Sequence, residues 1–230
     1  MLRADVLNAL LGLFERPRYL EVGVHSGETF DLIRAAEKTA VDPAFRFDVG
    51  AAEARDASAR YHQVPSDAFF RERAADALPF DVVFLDGLHT FEQTLRDLMN
   101  ALAHTRADSV IVIDDVKPNG FPAAIRDLGV FDRLYAAVPG TDAAWMGDVY
   151  RLVWFIDVFM PASSYATVAE NHGQLVLWRE TRDGGPDLTV EAVARVPYEE
   201  VVLGEAVFRT APLADILTRV ETARRSQSAE

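Results

Sequence analysis

The chain has no cysteine among its 230 residues. That excludes a disulfide framework and any thiol nucleophile. Basic residues are also scarce: 23 Lys plus Arg against 36 Asp plus Glu leave a formal net charge of −13. Binding a phosphate backbone needs clustered Lys and Arg, so no nucleic-acid partner is expected, and the excess acid reads as a solvated surface. Long apolar runs are missing as well. No stretch approaches the ~20 apolar residues of a membrane span, and the N-terminal stretch has no signal-type apolar region. Leu7, Leu10, Leu11 and Phe14 recur there at helical spacing with Arg3, Asp5 and Glu15 between them. This predicts an amphipathic helix over 2–15 that covers a sheet edge or lids a ligand site. A cytoplasmic protein with no membrane partner is the expectation. Internal repeats and low-complexity tracts are absent too.

What is present is core-forming. Half of the residues are hydrophobic, and the length suits one α/β domain with additions. The chain is organised around Tyr19-Leu20-Glu21-Val22-Gly23-Val24-His25-Ser26-Gly27-Glu28-Thr29. An apolar run ends in an acid, a glycine, and a second glycine four residues on. Phe30, Ile33 and Ala36 then continue at helical spacing. The reading is a strand over about 18–24, a tight turn, and a helix over about 26–38 with Ser26 as N-cap. Glycines in such a turn let backbone N–H groups approach a ligand closely. The pattern is not the GxGxxG of nicotinamide enzymes.

Further along, Thr39-Ala40-Val41-Asp42 reads as a second strand ending in an acid. In a doubly wound sheet that acid can accept hydrogen bonds from a ribose, although a turn aspartate before Pro43 is the plainer role. Residues 44–60 read as largely helical, and His62-Gln63-Val64 stands where a third strand ends. Ser66 or Asp67 can cap the helix that follows. Phe80-Asp81-Val82-Val83-Phe84-Leu85-Asp86 is a near-continuous apolar run, as expected of a parallel strand buried on both faces. Thr90 and Gln93 have capping-box spacing ahead of a core stripe through Leu88, Phe91, Leu95, Leu98 and Leu102. Ser109-Val110-Ile111-Val112-Ile113-Asp114-Asp115 is a second buried strand. Trp145 and Met146 fall in an aromatic segment suited to a pocket wall. Runs at 165–169 and 174–178 flank Asn171-His172-Gly173 and predict a hairpin. From Asp183 the periodicity weakens, with a helix near 212–225 and fraying at 226–230.

Two parallel strands ending in Asp86 and in Asp114-Asp115 can bring three carboxylates to one rim, where open α/β sheets bind ligands. Like charges so close recruit a cation, and an all-oxygen site suits Mg²⁺. The plainer alternative is that these acids cap helices or bind single waters. Adjacent strand residues point opposite ways, so Asp114 and Asp115 both reach one ion only if the chain turns there. Lys117-Pro118 allows that.

The glycine turn resembles the first motif of class I S-adenosylmethionine (SAM) methyltransferases. Phe84-Leu85-Asp86-Gly87-Leu88-His89 together with Ile111-Val112-Ile113-Asp114-Asp115 resembles their metal-dependent small-molecule O-methyltransferases, over about residues 18–180. The implied fold is a Rossmann-like, seven-stranded, mostly parallel sheet with an antiparallel last strand and helices on both faces. The implied cofactors are SAM and Mg²⁺. The resemblance puts Glu21, Gly23, His25, Ser26, Gly27, Asp42, Asp67 and Asp86 at the SAM site, with Asp67 on the adenine amino group. Asp86, Asp114 and Asp115 would be the metal ligands. Catechol-type enzymes have asparagine where Asp115 stands and a lysine base where His89 stands. The Asp-Asp pair is closer to the sugar and macrocin group, and His89 becomes the candidate base. Asp148 and His172 are further acid–base candidates without a place. The expected division is an N-terminal helix at 1–17, a SAM-binding core at 18–182 with a cap segment at 139–160, and an appendage at 183–230. The expected activity is Mg²⁺-assisted O-methylation of a small hydroxylated metabolite, by a protein compatible with a homo-oligomer. A metal-independent methyltransferase using His89, or a non-catalytic binding subunit, stands beside it.

Overall fold

The computed structural model describes residues 1–74 and 79–227. Seven strands form one sheet in the order β3-β2-β1-β4-β5-β7-β6. They are β1 (Arg18–Val22), β2 (Glu37–Val41), β3 (Ala59–His62), β4 (Phe80–Leu85), β5 (Thr105–Ile113), β6 (Ser163–Thr167) and β7 (Leu175–Arg179). The first five run parallel, and β7 inserts antiparallel between β5 and β6. This is the order and the antiparallel closing hairpin of the class I methyltransferase fold, as the sequence implies.

The register sets up the site. Val41, Val22, Leu85 and Ile113 lie side by side across four strands. The next residue of each chain, Asp42, Gly23, Asp86 and Asp114, therefore leaves the sheet at one rim. Every residue of β4 is buried, including Asp81, whose carboxylate accepts the Arg18 N–H at 2.7 Å and pairs with Arg106. Alternation along the strands divides the core in two. Leu20, Val22, Val83, Leu85, Ile111 and Ile113 face one side, toward α3 (Ser66–Glu72), α4 (Phe91–Ala103) and α6 (Arg151–Phe159). Tyr19, Val82, Phe84, Val110 and Val112 face the other, toward α1 (Arg3–Leu11) and α9 (Leu213–Gln227).

That second face explains a departure from the sequence reading. The helix expected over 26–38 does not form, and Ser26 caps nothing. The chain makes a single 3₁₀ turn at Phe30–Leu32 before entering β2. Phe30 and Ile33 are buried as their spacing requires, but the backbone there is bonded elsewhere. The Asn8 side chain of α1 accepts the Arg34 N–H at 2.8 Å and donates to the Leu32 carbonyl at 2.9 Å. α1 and α9 occupy the face that a crossover helix would cover: Leu7, Leu10 and Leu11 from one, Leu213, Ile216 and Val220 from the other. α1 is also shorter than the expected 2–15.

Between β2 and β3 the helical stretch narrows to α2 (Val49–Arg55), capped by Asp48 on the Ala51 N–H at 3.0 Å. Neither Ser66 nor Asp67 caps α3, whose N-cap is Pro65. The remaining helices are α5 (Leu128–Ala137), α7 (Val190–Ala194) and α8 (Glu199–Leu203). The C-terminal helix expected near 212–225 is α9. Of the expected fraying segment, 228–230 lies outside the described residues. Among the described residues no helix is long and apolar enough to cross a membrane.

Candidate active site

A cleft of about 760 Å³ opens at the carboxyl ends of the parallel strands. Its near side is the turn after β1. Gly23 has φ +89°, and a Cβ placed on it would stand 1.9 Å from the Asp86 carbonyl oxygen. Only glycine lets the turn pass so close to the end of β4. Asp42 braces the same turn from β2. One of its oxygens accepts the N–H groups of Val24 (2.9 Å) and His25 (2.8 Å), and the other accepts that of Ala44 (2.7 Å). Three of roughly four lone-pair positions are thereby used, while the side chain still lines the cleft. Glu21, His25, Ser26 and Asp67 line it as well. Gly27 closes the turn at φ +83°. Asp67 pairs with Arg96 at 2.7 Å and accepts from Gln93 at 3.3 Å.

Glu21 lies beneath the turn, 1% exposed, with the Tyr19 hydroxyl donating to it at 2.6 Å. Burial pushes its pKa from 4.5 up to about 8, against the opposing effects of the Tyr19 bond and the Lys38 charge. The folded state thus holds a proton that the unfolded chain releases near pH 4.5, and stability falls as pH rises from there through about 8. Glu21→Gln is expected to remove this slope. Its melting temperature should gain on the parent by about 10 °C between pH 5 and pH 8. A constant difference across that range in thermal melts would refute the assignment.

On the far side, beyond Asp67, one acid was not legible as a functional feature in the sequence. Asp97, on α4, is 2% exposed and lines the cleft beside Ser66 and Gln93. Burial raises its carboxyl to about 6, although Ser66 and Gln93 hydrogen-bond to it. At heptad-like spacing on a helix it reads as one more surface acid. Its burial comes from α3 packing over it.

The rim holds the acids. Asp115 has φ +59°, so the chain turns at once after β5. Asp86, His89 and Asp115 each offer a donor atom within 4.8 Å of the others, and so do Asp114, Asp115 and His172. Asp86 and Asp114 do not fall in one such group. Asp115 accepts from His89 Nδ1 at 2.7 Å. Asp114 is buried and is engaged by Arg3, while its Oδ1 is buried with no hydrogen-bond partner among the described residues. Arg3 Nη2 also stands 3.8 Å from Asp115. Desolvation first, and then the Asp114 and Asp115 charges, hold the Asp86 pKa well above the usual carboxylate range. Burial and Asp115 raise that of Asp114. Partial burial works against the Arg3 charge, yet the surrounding aspartates raise its pKa overall. Nothing in the sequence signals Arg3, which reads there as one polar position of an amphipathic helix.

His89 is held from the cap segment. The Trp145 ring meets it edge-on at 5.0 Å, and Trp145 Nε1 donates to the Ile125 carbonyl at 2.6 Å. Gly147 packs so closely that a Cβ would be 1.8 Å from the His89 carbonyl oxygen. The expected Thr90–Gln93 capping box is not formed. Asp148 caps α4 instead, accepting the Phe91 N–H at 2.8 Å while paired to Arg151 (2.6 Å) and Arg126 (3.1 Å). A carboxylate from a distant segment outcompetes a local hydroxyl, and Asp148 thereby has a structural place. Trp145, Met146 and His172 all reach the cleft.

Residues 20–116 match a family described as a methyltransferase domain. No curated protein matches the chain in sequence. Among solved structures, cofactor-bound Rv0187 from MTB is 18% identical, with 78% of this chain and 80% of that one covered and a TM-score of 0.56. A candidate caffeoyl-CoA O-methyltransferase from Staphylococcus aureus is 14% identical, with 78% and 84% covered and a TM-score of 0.53. At these identities the likeness is one of fold.

Proposed function

We propose that this chain, which has the class I methyltransferase fold and matches a methyltransferase-domain family over residues 20–116, transfers the methyl group of SAM to a hydroxyl of a small metabolite with help from a divalent cation. One observation carries the reading: strand register and the turn at Asp115 bring oxygens of Asp86 and Asp115, and a nitrogen of His89, within 4.8 Å of one another in the cleft beside the glycine turn.

The residues divide the work. The turn from Gly23 to Gly27, with His25 and Ser26, takes the polar end of the cofactor against backbone N–H groups. Asp42 holds that turn in shape and has capacity left for a ribose hydroxyl. Asp67 and Asp97 flank the place for the adenine. Glu21, buried below, and Asp86, at the end of β4, form the floor. The sulfonium methyl of SAM is already activated, so the protein has mainly to place and ionise the acceptor.

The residues present fit a divalent ion: clustered carboxylates, with a buried Asp114 oxygen beside them that has no hydrogen-bond partner among the described residues, suit a hard cation. Asp86 and Asp115 would hold it, with Asp114 and His172 adjacent, and it would act as a Lewis acid that lowers the pKa of the bound hydroxyl. Asp115 fixes His89 with Nδ1–H toward itself, which leaves Nε2 to take the hydroxyl proton. Trp145 and Met146 keep water from the acceptor.

A metal-free reading also has an observation behind it. The His89–Asp115 pair is a complete base unit, and Arg3 already supplies a cation to the rim. Chelation separates the two. S-adenosylhomocysteine should bind EDTA-treated protein in calorimetry. Turnover of hydroxylated substrates should fall at least about 100-fold in EDTA and return with Mg²⁺. Full activity in chelator would select the metal-free reading, and absence of S-adenosylhomocysteine binding would sink both.

A further inference from the structure

The geometry points to Arg3 as a resident counter-ion of the rim, which withholds Asp114 from the divalent-ion site and keeps that site weak. The inference rests on the metal reading above and concerns what tunes it.

Arg3 comes from outside the sheet, at the start of α1. Leu7, Leu10 and Leu11 anchor that helix in the core. Its own side chain is not core: it is 35% exposed and lines the cleft. The guanidinium engages Asp114 through Nε and reaches within 3.8 Å of Asp115 through Nη2. The two donor groups at the rim share Asp115, but Asp114 belongs only to the one with His172. The acid that the strand register puts beside Asp86 is thus committed to an arginine.

A guanidinium cannot be titrated away, so its charge remains when a second cation enters. Two cations with Asp115 in common repel, and in a partly desolvated rim this reaches well beyond what bulk water would allow. Removing the guanidinium would leave the Asp114 carboxylate buried and uncompensated, which favours recruiting any available cation. Its Oδ1, already without a hydrogen-bond partner among the described residues, would then be joined by a free Oδ2. Arg3 thereby weakens the ion site at its own position, with no contact to the ion.

The test is calorimetric titration of Mn²⁺ into the EDTA-stripped full chain. Arg3→Gln is expected to bind Mn²⁺ at least about tenfold more tightly than the parent. Arg3→Lys, which keeps the charge, should stay near the parent. Asp114→Asn placed in the Arg3→Gln background should take the gain back. S-adenosylhomocysteine binding reports on folding of each variant. Arg3→Met, which keeps the aliphatic stem, replaces Arg3→Gln if the latter does not fold. Equal or weaker Mn²⁺ binding in the neutral variants, with measurable binding in the parent, overturns the role of Arg3 and leaves the metal reading standing. Mn²⁺ binding to none of the proteins overturns both.

Discussion

Asp115→Asn is expected to lower turnover about 10³-fold while S-adenosylhomocysteine affinity stays within about threefold. The two outcomes together are informative because of where Asp115 sits. It belongs to both donor groups of the rim, orients His89 at 2.7 Å, and faces Arg3 at 3.8 Å. Among the described residues, no other side chain of the rim has all these relations. Its backbone is left-handed, with φ +59°, a conformation that asparagine accepts more readily than other side chains. The substitution therefore removes the charge and leaves the turn. An asparagine NH₂ turned toward His89 would also oppose the tautomer that leaves Nε2 free. Alanine at the same place adds backbone strain of about 1–2 kcal/mol and confuses the two effects. The measurement is steady-state release of S-adenosylhomocysteine alongside calorimetry. Retention of more than about a tenth of the activity would remove the rim from the mechanism.

Gly23→Ala is the change with the largest expected effect on the molecule itself. Two independent penalties meet there. The residue has φ +89°, and the new Cβ would fall 1.9 Å from the Asp86 carbonyl oxygen. Strain and overpacking each cost about 1–3 kcal/mol. Their sum predicts a melting temperature lower by about 10 °C and loss of S-adenosylhomocysteine binding, because either the turn or the end of β4 must move. Gly140→Ala is the matched control. Its φ is +84°, but nothing lies within 4 Å of a Cβ there. It should cost about 1 kcal/mol and leave binding intact. Similar melting temperatures for the two variants would show that β4 yields easily at Asp86.

How much of this was legible in the sequence follows from which forces are local. Unbroken apolar runs gave β4 and the end of β5, because strands buried on both faces allow little else. The hairpin around Gly173 and the turn after Asp115 were legible from turn chemistry. The stretch at 26–38 was not. Phe30 and Ile33 carry helical spacing, but groups from other elements divert the backbone bonds: Asn8 at Leu32 and Arg34, and Lys38 at the Phe30 carbonyl. The cap of α4 failed for the same reason, since Asp148 lies 57 positions away. In the site, the acids and glycines could be read at strand ends, where position alone implies exposure to ligand. Arg3 and Asp97 could not, because each is ordinary on its own helix and acquires meaning only from what packs over it.

The placement of α1 has a consequence for the order in which the molecule can be completed. α1 lies on β4 and against α9, so an early segment of the chain is roofed by a late one. During synthesis β1 to β5 can emerge and pair while the apolar side of α1 still lacks its cover. The glycine turn and the aspartates are then all in existence, while the helix that carries Arg3 rests on β4 with its other side still uncovered. Only when Leu213, Ile216 and Val220 arrive is that half of the core closed. A nascent chain thus acquires its glycine turn early and the full cover of its arginine-bearing helix last. A protein shortened at α9 would hold the helix of its rim arginine from the sheet side alone.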